Sequence, residues 1–377
     1  MLVRLTVSFD LSLSSSRNVD KYPQHSGVCR SDLSIMTCGW EALPFPVPKG
    51  QIGGHEGVGI VQKLGPGSDV GTVKLGDRVG IKWAAAMCGT CMPCRNGFDG
   101  HCTQFKVSGY FTPGTFAQYV LAPANYVTPI PEKLESADAA PLLCAGLTSY
   151  SALRKCGAKS GDWVVISGAG GGLGHLAVQI AARGMAYRVI GLDSGSKEAL
   201  VKDCGAEHFL DITKYSSEAL AEEIKKLTDG LGAASVVVCA GVNAAYAQAL
   251  GMLSFGGTMV CVGIPDGQRK EIGNSYPAHL VGSQKRIVGS SIGNQREAIE
   301  VLALAARGVV KTHYKLDKLE NLTEIFKDME ENKMEGRVYV LPNLDKIELS
   351  TDFMQRPRFE MNCSKEPFQP TRQSRPT

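Results

Sequence analysis

Four cysteines, Cys88, Cys91, Cys94 and Cys102, stand in the spacing C-x2-C-x2-C-x7-C. Zinc takes four soft ligands at tetrahedral corners about 2.3 Å from the metal, and short turns that hold three thiolates with a fourth just beyond supply them. The alternative reading is four unrelated buried cysteines. A set of four thiolates leaves no position for water or substrate, so it reads as a structural zinc lobe. Any chemistry must come from elsewhere in the chain.

A chain of 377 residues with 44% hydrophobic content can bury two cores, so two domains are expected and disorder is excluded for most of its length. Its 40 basic and 37 acidic residues nearly balance at +3, with no dense Lys/Arg block outside the C-terminal tail. That balance argues against nucleic acid or an anionic membrane as partner. Twelve cysteines could form a disulfide framework, but a chain this long needs no staples and six of them are metal-ligand candidates. A reducing compartment fits that usage. The opening run MLVRLTVSFDLSLSSS carries Arg4 and Asp10, which interrupt the apolar core a secretory signal needs. No stretch approaches the roughly 20 apolar residues that span a bilayer. A cytoplasmic protein is expected.

From about Ile52 to Val127 the text is Gly-rich and β-like, with strands expected at Gly57 to Leu64, Arg78 to Trp83 and Thr115 to Leu121 between Gly, Pro and Asp turns. After Pro141 strand and helix alternate. The apolar run Trp163 to Ile166 precedes a helix over Leu173 to Arg183, and strands follow at Arg188 to Leu192, His208 to Leu210, Ser235 to Cys239 and Thr258 to Val262. Such alternation predicts an α/β fold with a doubly wound parallel sheet covered on both faces. Helices over Glu297 to Gly308 and Leu319 to Asn332 and a strand at Val338 to Leu341 are expected to return to the first domain. The divisions are 1–143, 144–288 and 289–350, with 351–377 a flexible tail rich in Pro, Arg, Gln and Ser.

Between the first strand and helix of the doubly wound part lie Gly168, Gly171 and Gly174 in a G-x-x-G-x-x-G frame, with Gly172 among them. Glycine there lets the backbone approach a pyrophosphate, which the N–H groups of the following helix stabilise. Asp193 ends the next strand, 19 residues after Gly174, where a carboxylate accepts hydrogen bonds from ribose hydroxyls and repels a 2′-phosphate. NAD is therefore expected in preference to NADP. Lys197 could help hold the ribose or simply be solvated.

Three further candidate ligands are dispersed: Cys29 in GVCRSD, His55 in GGHEG and Cys144 in PLLCAG. Two thiolates and an imidazole make a three-ligand zinc site with room for an alcohol oxygen. Taken singly, Cys144 reads as a small buried hydrophobe and His55 as a turn histidine. The surrounding text is more specific. SGVCRSDL (26–33), GGHEGVG (53–59), GDRVGIKW (76–83), the cysteine lobe, LLCAGLTSY (142–150), ISGAGGGLGHLAVQ (166–179), VGIP (262–265), IVGSSIGN (287–294) and GRVYVL (336–341) follow in order. From Ser26 to about Leu341 the chain thus resembles the zinc-dependent medium-chain alcohol dehydrogenases, especially the fungal, yeast-like branch.

The resemblance implies a GroES-like, β-rich catalytic domain interrupted by a Rossmann dinucleotide domain, with the active site in the cleft between them. Cys29, His55 and Cys144 would bind a catalytic zinc, with Glu56 beside it as an exchangeable ligand. Asp32 would fix the His55 tautomer. Arg30 and Arg337 would contact the cofactor pyrophosphate, and Thr148 would lie near the nicotinamide. Zinc would lower the pKa of an alcohol, Ser31 would pass its proton toward solvent, and hydride would move between substrate carbon and NAD. A primary alcohol/aldehyde pair within fungal secondary metabolism is the expected substrate, and a homodimer or homotetramer the expected assembly. A polyol or secondary-alcohol dehydrogenase, and a truncated, silent zinc- and NAD-binding protein, are the competing readings. Trp83 and Trp40 could bound a substrate cavity or be core packing.

The chain departs from the pattern twice. Ser34 stands where the family usually has a histidine, so proton release must run through water or another group, and activity is expected to be slower or shifted to higher pH. Residues 1 to about 25 lack the usual opening strands, which predicts uncovered sheet edges in the catalytic domain.

Overall fold

The computed structural model describes residues 4–8, 25–41, 43–65, 73–331, 333–334, 336–341 and 360–361. In chain order its principal strands begin with β1 (Arg4–Ser8), β2 (His25–Val28), β3 (Gly57–Leu64), β4 (Arg78–Ile81), β5 (Tyr119–Pro123) and β6 (Thr128–Pro129). Six more follow as β7 (Trp163–Ser167), β8 (Arg188–Asp193), β9 (His208–Asp211), β10 (Ala233–Val238), β11 (Leu253–Cys261) and β12 (Arg286–Gly289). Finally come β13 (Tyr314–Lys318) and β14 (Arg337–Leu341). The helices that matter to the site are α1 (Arg30–Met36), α2 (Ala145–Lys155), α3 (Gly174–Gln179), α4 (Gln295–Ala306) and α5 (Leu322–Glu330).

Strands β7 to β12 form one six-stranded, wholly parallel sheet in the order β9-β8-β7-β10-β11-β12. Strands with apolar side chains on both faces need cover on both, and the buried residues divide accordingly. Val164 and Ile166 of β7 pack with Leu176 and Ala177 of α3, whereas Val165 between them packs with Ile190, Val236, Leu220 and Leu250 on the other face. The remaining eight strands form a second sheet in which β14 pairs antiparallel with β2. Val28, Phe116, Leu322, Phe326 and Val340 make a core there that seats α5.

Several boundaries shift. The helix expected over Leu173 to Arg183 is α3 followed by a wider π-helical segment, Ile180–Gly184. The strand expected from Thr115 begins only at Tyr119, because residues 114–116 bond through their backbone N–H groups to the carbonyls of Ile52, Gly53 and Gly54. Among the described residues, β1 covers sheet edges that were expected to lie open at the N-terminus. β1 pairs antiparallel with β3 on one side and with β5 on the other. The text Arg-Leu-Thr-Val-Ser alternates polar and apolar residues, which is the period a strand requires. The remainder of 1–24 and of the 351–377 tail lies outside the described residues, apart from Glu360–Met361, which pair with Gln51–Ile52. No helix among the described residues is long and apolar enough to cross a membrane.

The side chain of Ile166 is fully buried against α3. Ile166→Ala is expected to cost about 2–5 kcal/mol through lost burial and a residual cavity. A thermal midpoint lowered by several degrees would register it.

Candidate active site

Three elements deliver their functional side chains to one buried point. Cys29 follows β2 and caps α1, His55 lies in the turn before β3, and Cys144 precedes α2. Asp32, one turn into α1, joins two of them: its Oδ2 accepts the Cys29 backbone N–H at 3.0 Å and its Oδ1 meets His55 Nδ1 at 2.8 Å. With Nδ1 donating to Asp32, a neutral ring would present the Nε2 lone pair to Cys144 Sγ, which lies 3.2 Å from Nε2. Cys29, His55, Glu56 and Cys144 each offer a ligand atom within 4.8 Å of the others, and all four residues are buried.

The electrostatics of this point suit a cation. Hydrogen bonding from Cys144 holds the Cys29 thiol well below its ordinary range, against the opposing effect of burial, while the same bond and burial push Cys144 well above. Burial works against protonation of His55, but the charge and hydrogen bond of Asp32 outweigh it and raise its pKa. Glu56 is pushed up to about 7 by burial, with the Arg337 charge pulling the other way. Its Oε1 bonds the Arg337 guanidinium and lies 3.8 Å from His55 Nε2, and its Oε2 has no hydrogen-bond partner. A buried donor set of two thiols, an imidazole and a carboxylate with an orphaned oxygen fits a zinc ion.

Arg337 also links this point to the glycine loop. The guanidinium is buried, and a Cβ on Gly172 would stand 2.9 Å from Arg337 Cδ. Within the loop Gly168 has φ +78°, and a Cβ on Gly174 would come 1.9 Å from the Gly168 carbonyl oxygen. No side chain fits there, so the turn can bring its backbone close to a ligand. Gly171 donates its N–H to the Gly168 carbonyl at 3.2 Å. Asp193, at the end of β8, accepts the Gly170 and Ser194 N–H groups at 2.8 Å each and has Lys197 Nζ 3.9 Å away. Thr148 sits one turn into α2, its N–H donating to the Cys144 carbonyl at 2.8 Å. Ser31 Oγ is 3.6 Å from Cys29 Sγ.

Arg30 is placed differently from Arg337. It is half-exposed and donates to the Met329 carbonyl at 2.9 Å, with a 3.4 Å pairing to Asp266. Ser34 is buried and donates to the same carboxylate at 2.7 Å. Nothing in the sequence pattern marks Asp266 beyond its place in the turn after VGIP. The Trp83 ring packs edge-on to the His55 ring with centroids 4.8 Å apart, and Trp40 is 6.2 Å beyond it.

The cysteine lobe is separate. Cys88 and Cys94 Sγ atoms are 4.0 Å apart and Cys91 and Cys94 3.5 Å apart, bracketing the edge of about 3.8 Å that a tetrahedron of 2.3 Å bonds requires. The Cys91 N–H points at Cys88 Sγ and the Cys88 N–H at Cys102 Sγ, as thiolates favour. Hydrogen bonds from Thr90 lead the effects that push Cys88 down to about 5. Asp99 anchors the lobe, accepting the Tyr126 hydroxyl and the N–H of Gln295 at the start of α4, both at 2.9 Å. Lys82 is buried over the Tyr126 ring and donates to the Tyr126 carbonyl at 2.6 Å.

Comparison with known proteins identifies the same parts. Residues 23–132 match the model of the alcohol dehydrogenase GroES-like domain, and residues 172–307 that of the zinc-binding dehydrogenase. Alcohol dehydrogenase 2 of Emericella nidulans is 59% identical over 319 residues, covering 83% of this chain and 87% of that protein. An alcohol dehydrogenase of Schizosaccharomyces pombe is 41% identical over 84% of this chain and 87% of its own length. Among solved structures, the alcohol dehydrogenase of Aeropyrum pernix superposes with a TM-score of 0.76 at 27% identity, covering 90% of this chain and 92% of that one. Acetophenone reductase from Geotrichum candidum, in complex with NAD, gives 0.74 at 25% identity over 91% of each chain.

Burial lowers the Lys82 pKa from 10.5 to about 7, with Asp99 opposing. Between those values the unfolded chain binds a proton that the folded chain has released, so this residue makes stability rise with pH from about 7 toward 10. Lys82→Met is expected to flatten that rise and to gain most over the native protein at pH 7 and below. Thermal midpoints of both proteins across pH 6 to 9 measure it.

Proposed function

The chain belongs to the zinc-binding alcohol dehydrogenases, and from that premise we propose how its own residues divide the work of moving a hydride between an alcohol/aldehyde pair and NAD(H). The observation that carries the proposal is the convergence of Cys29, His55 and Cys144 at a buried point that Arg337 joins to the glycine loop.

Cys29, His55 and Cys144 hold the catalytic zinc, and the four-cysteine lobe holds a structural one. Bound zinc supplies Lewis acidity toward the alcohol oxygen, and bound NAD supplies the hydride acceptor. Asp32 keeps the His55 ring turned with Nε2 inward, through the bond at Nδ1. Glu56 exchanges between Arg337 and the metal point, which its unpartnered Oε2 favours. Ser31, beside Cys29, takes the hydroxyl proton of the substrate. Arg30 and Arg337 face the pyrophosphate, with Gly168, Gly171, Gly172 and Gly174 forming its cradle. Thr148 borders the nicotinamide. Asp193, already oriented by two backbone N–H groups, receives the ribose and disfavours a 2′-phosphate, so NAD is preferred to NADP. Lys197 supports it.

Trp83 against His55, with Trp40 behind it, narrows the substrate side and favours a primary, unbranched alcohol. We place the division between the two domains near 143 and 288, with the chain after 288 returning to the catalytic domain. The active form is a homo-oligomer in the cytoplasm. Among the described residues β12 is an edge strand, and Val281 and Tyr276, in the segment that precedes it in the chain, are 76% and 59% exposed, a surface suited to a second copy.

Metal analysis combined with turnover tests the assignment. The native protein is expected to hold zinc at both clusters and to oxidise ethanol or butan-1-ol faster than it reduces acetophenone. Cys144→Ser should lose one zinc and all turnover with the fold retained, whereas Cys91→Ser should lose the other zinc and mainly lower the thermal midpoint. Turnover surviving in Cys144→Ser would refute the catalytic assignment. Because Ser34 supplies no imidazole, alcohol oxidation should be displaced to higher pH, and Ser34→His should raise the rate near pH 7 by about tenfold or more. A native pH profile already flat from 7 to 9 would contradict that expectation.

A further inference from the structure

The loop after β11 leaves the parallel sheet at its carboxyl edge, the edge that also carries the glycine loop and Asp193. Open α/β sheets bind their ligands there. From this loop Asp266 reaches across to α1. Its Oδ1 accepts the Ser34 hydroxyl at 2.7 Å, and its Oδ2 pairs with Arg30 at 3.4 Å. Around that contact the Gly267 N–H donates to the Gly39 carbonyl at 2.8 Å, and Arg269 donates to the Glu41 carbonyl at 3.1 Å. A Cβ on Gly39 would lie 2.9 Å from Asp266 Oδ1, so a side chain there would push the carboxylate aside. One loop of the nucleotide sheet is thereby fastened to the helix that starts at Cys29.

Arg30 is the shared group. One of its terminal nitrogens donates to the Met329 carbonyl, which fixes one side of the fork, and the side chain is 51% exposed. A guanidinium held at one end, paired at the other only by a 3.4 Å contact and half-exposed, is suited to a phosphate oxygen. A dinucleotide brings its phosphate charges to this edge of the sheet. Asp266 and the phosphates therefore compete for one cation, and they repel each other at such a spacing.

We infer that Asp266 is a charge latch, a positioning residue that holds Arg30 away from an anionic dinucleotide and so limits how tightly the cofactor is retained. The inference rests on the NAD(H) reading above. Ser34 gives the carboxylate a second partner, so the loop stays docked when Arg30 turns to the phosphates. The Arg30–Asp266 pair is partly exposed, and competition through it corresponds to about a three- to fivefold change in affinity.

The test is a fluorescence titration of the zinc-loaded protein with NADH, with dissociation followed by stopped flow. Asp266→Asn keeps an oxygen for the Ser34 hydroxyl and removes the charge. Its NADH dissociation constant and off-rate are expected to fall about three- to fivefold, and Asp266→Ala should move in the same direction. Competition by adenosine, which carries no phosphate, should be unchanged in both. NADH affinity unchanged or weakened in both variants overturns the latch. So does an equal shift for NADH and adenosine, which would mark a purely structural role. If the native protein binds no NADH, the cofactor reading falls and the latch with it, whereas native binding without a shift in the variants overturns the latch alone.

Discussion

Asp32 is the carboxylate on which the site depends. Buried at the first turn of α1, it accepts one hydrogen bond from the Cys29 backbone and one from the His55 ring. A buried carboxylate is costly unless its oxygens are bonded, and here the two bonds also set the geometry of two candidate ligands. They fix where α1 begins relative to Cys29 and which nitrogen of His55 remains free. Cys144 then needs only the start of α2 to reach the same point. The site is assembled by satisfying a buried carboxylate, and all four candidate ligand residues around it are buried.

A second buried ion pair, Glu56 with Arg337, connects the metal point to the glycine loop. Breaking such a pair by removing one partner leaves an uncompensated charge in the interior, which is strongly destabilising. In the proposed roles a metal would take the carboxylate and a phosphate the guanidinium, so exchange of partners would avoid that penalty. The Asp266 contact joins the loop after β11 to Arg30 and Ser34 of α1 through weaker, partly exposed interactions.

Much of this was legible in the sequence, for physical reasons that differ from part to part. The lobe was legible because all four thiolates lie in one short stretch, where spacing alone dictates proximity. The parallel sheet was legible because runs such as Trp163 to Ile166 are apolar on both faces, and the glycine loop because only glycine fits at Gly174. The trio Cys29, His55 and Cys144 has no spacing signal, since tertiary folding brings it together; the family's motifs singled it out. β1 matches no family opening, although its Leu5 and Val7 alternate with polar residues as a strand should. Asp266 was invisible, because its partners Arg30 and Ser34 lie 236 and 232 residues away in sequence, on a helix outside the parallel sheet.

The central claim is that Cys29, His55 and Cys144 hold one metal ion with a position left for an alcohol. The most direct measurement is the visible absorption of protein carrying cobalt(II) in place of zinc at that point. A thiolate-to-cobalt band that shifts when a primary alcohol is added is the predicted result, because a substrate oxygen then completes the coordination. A cobalt spectrum indifferent to saturating alcohol, in a protein that still binds NADH, would contradict the account.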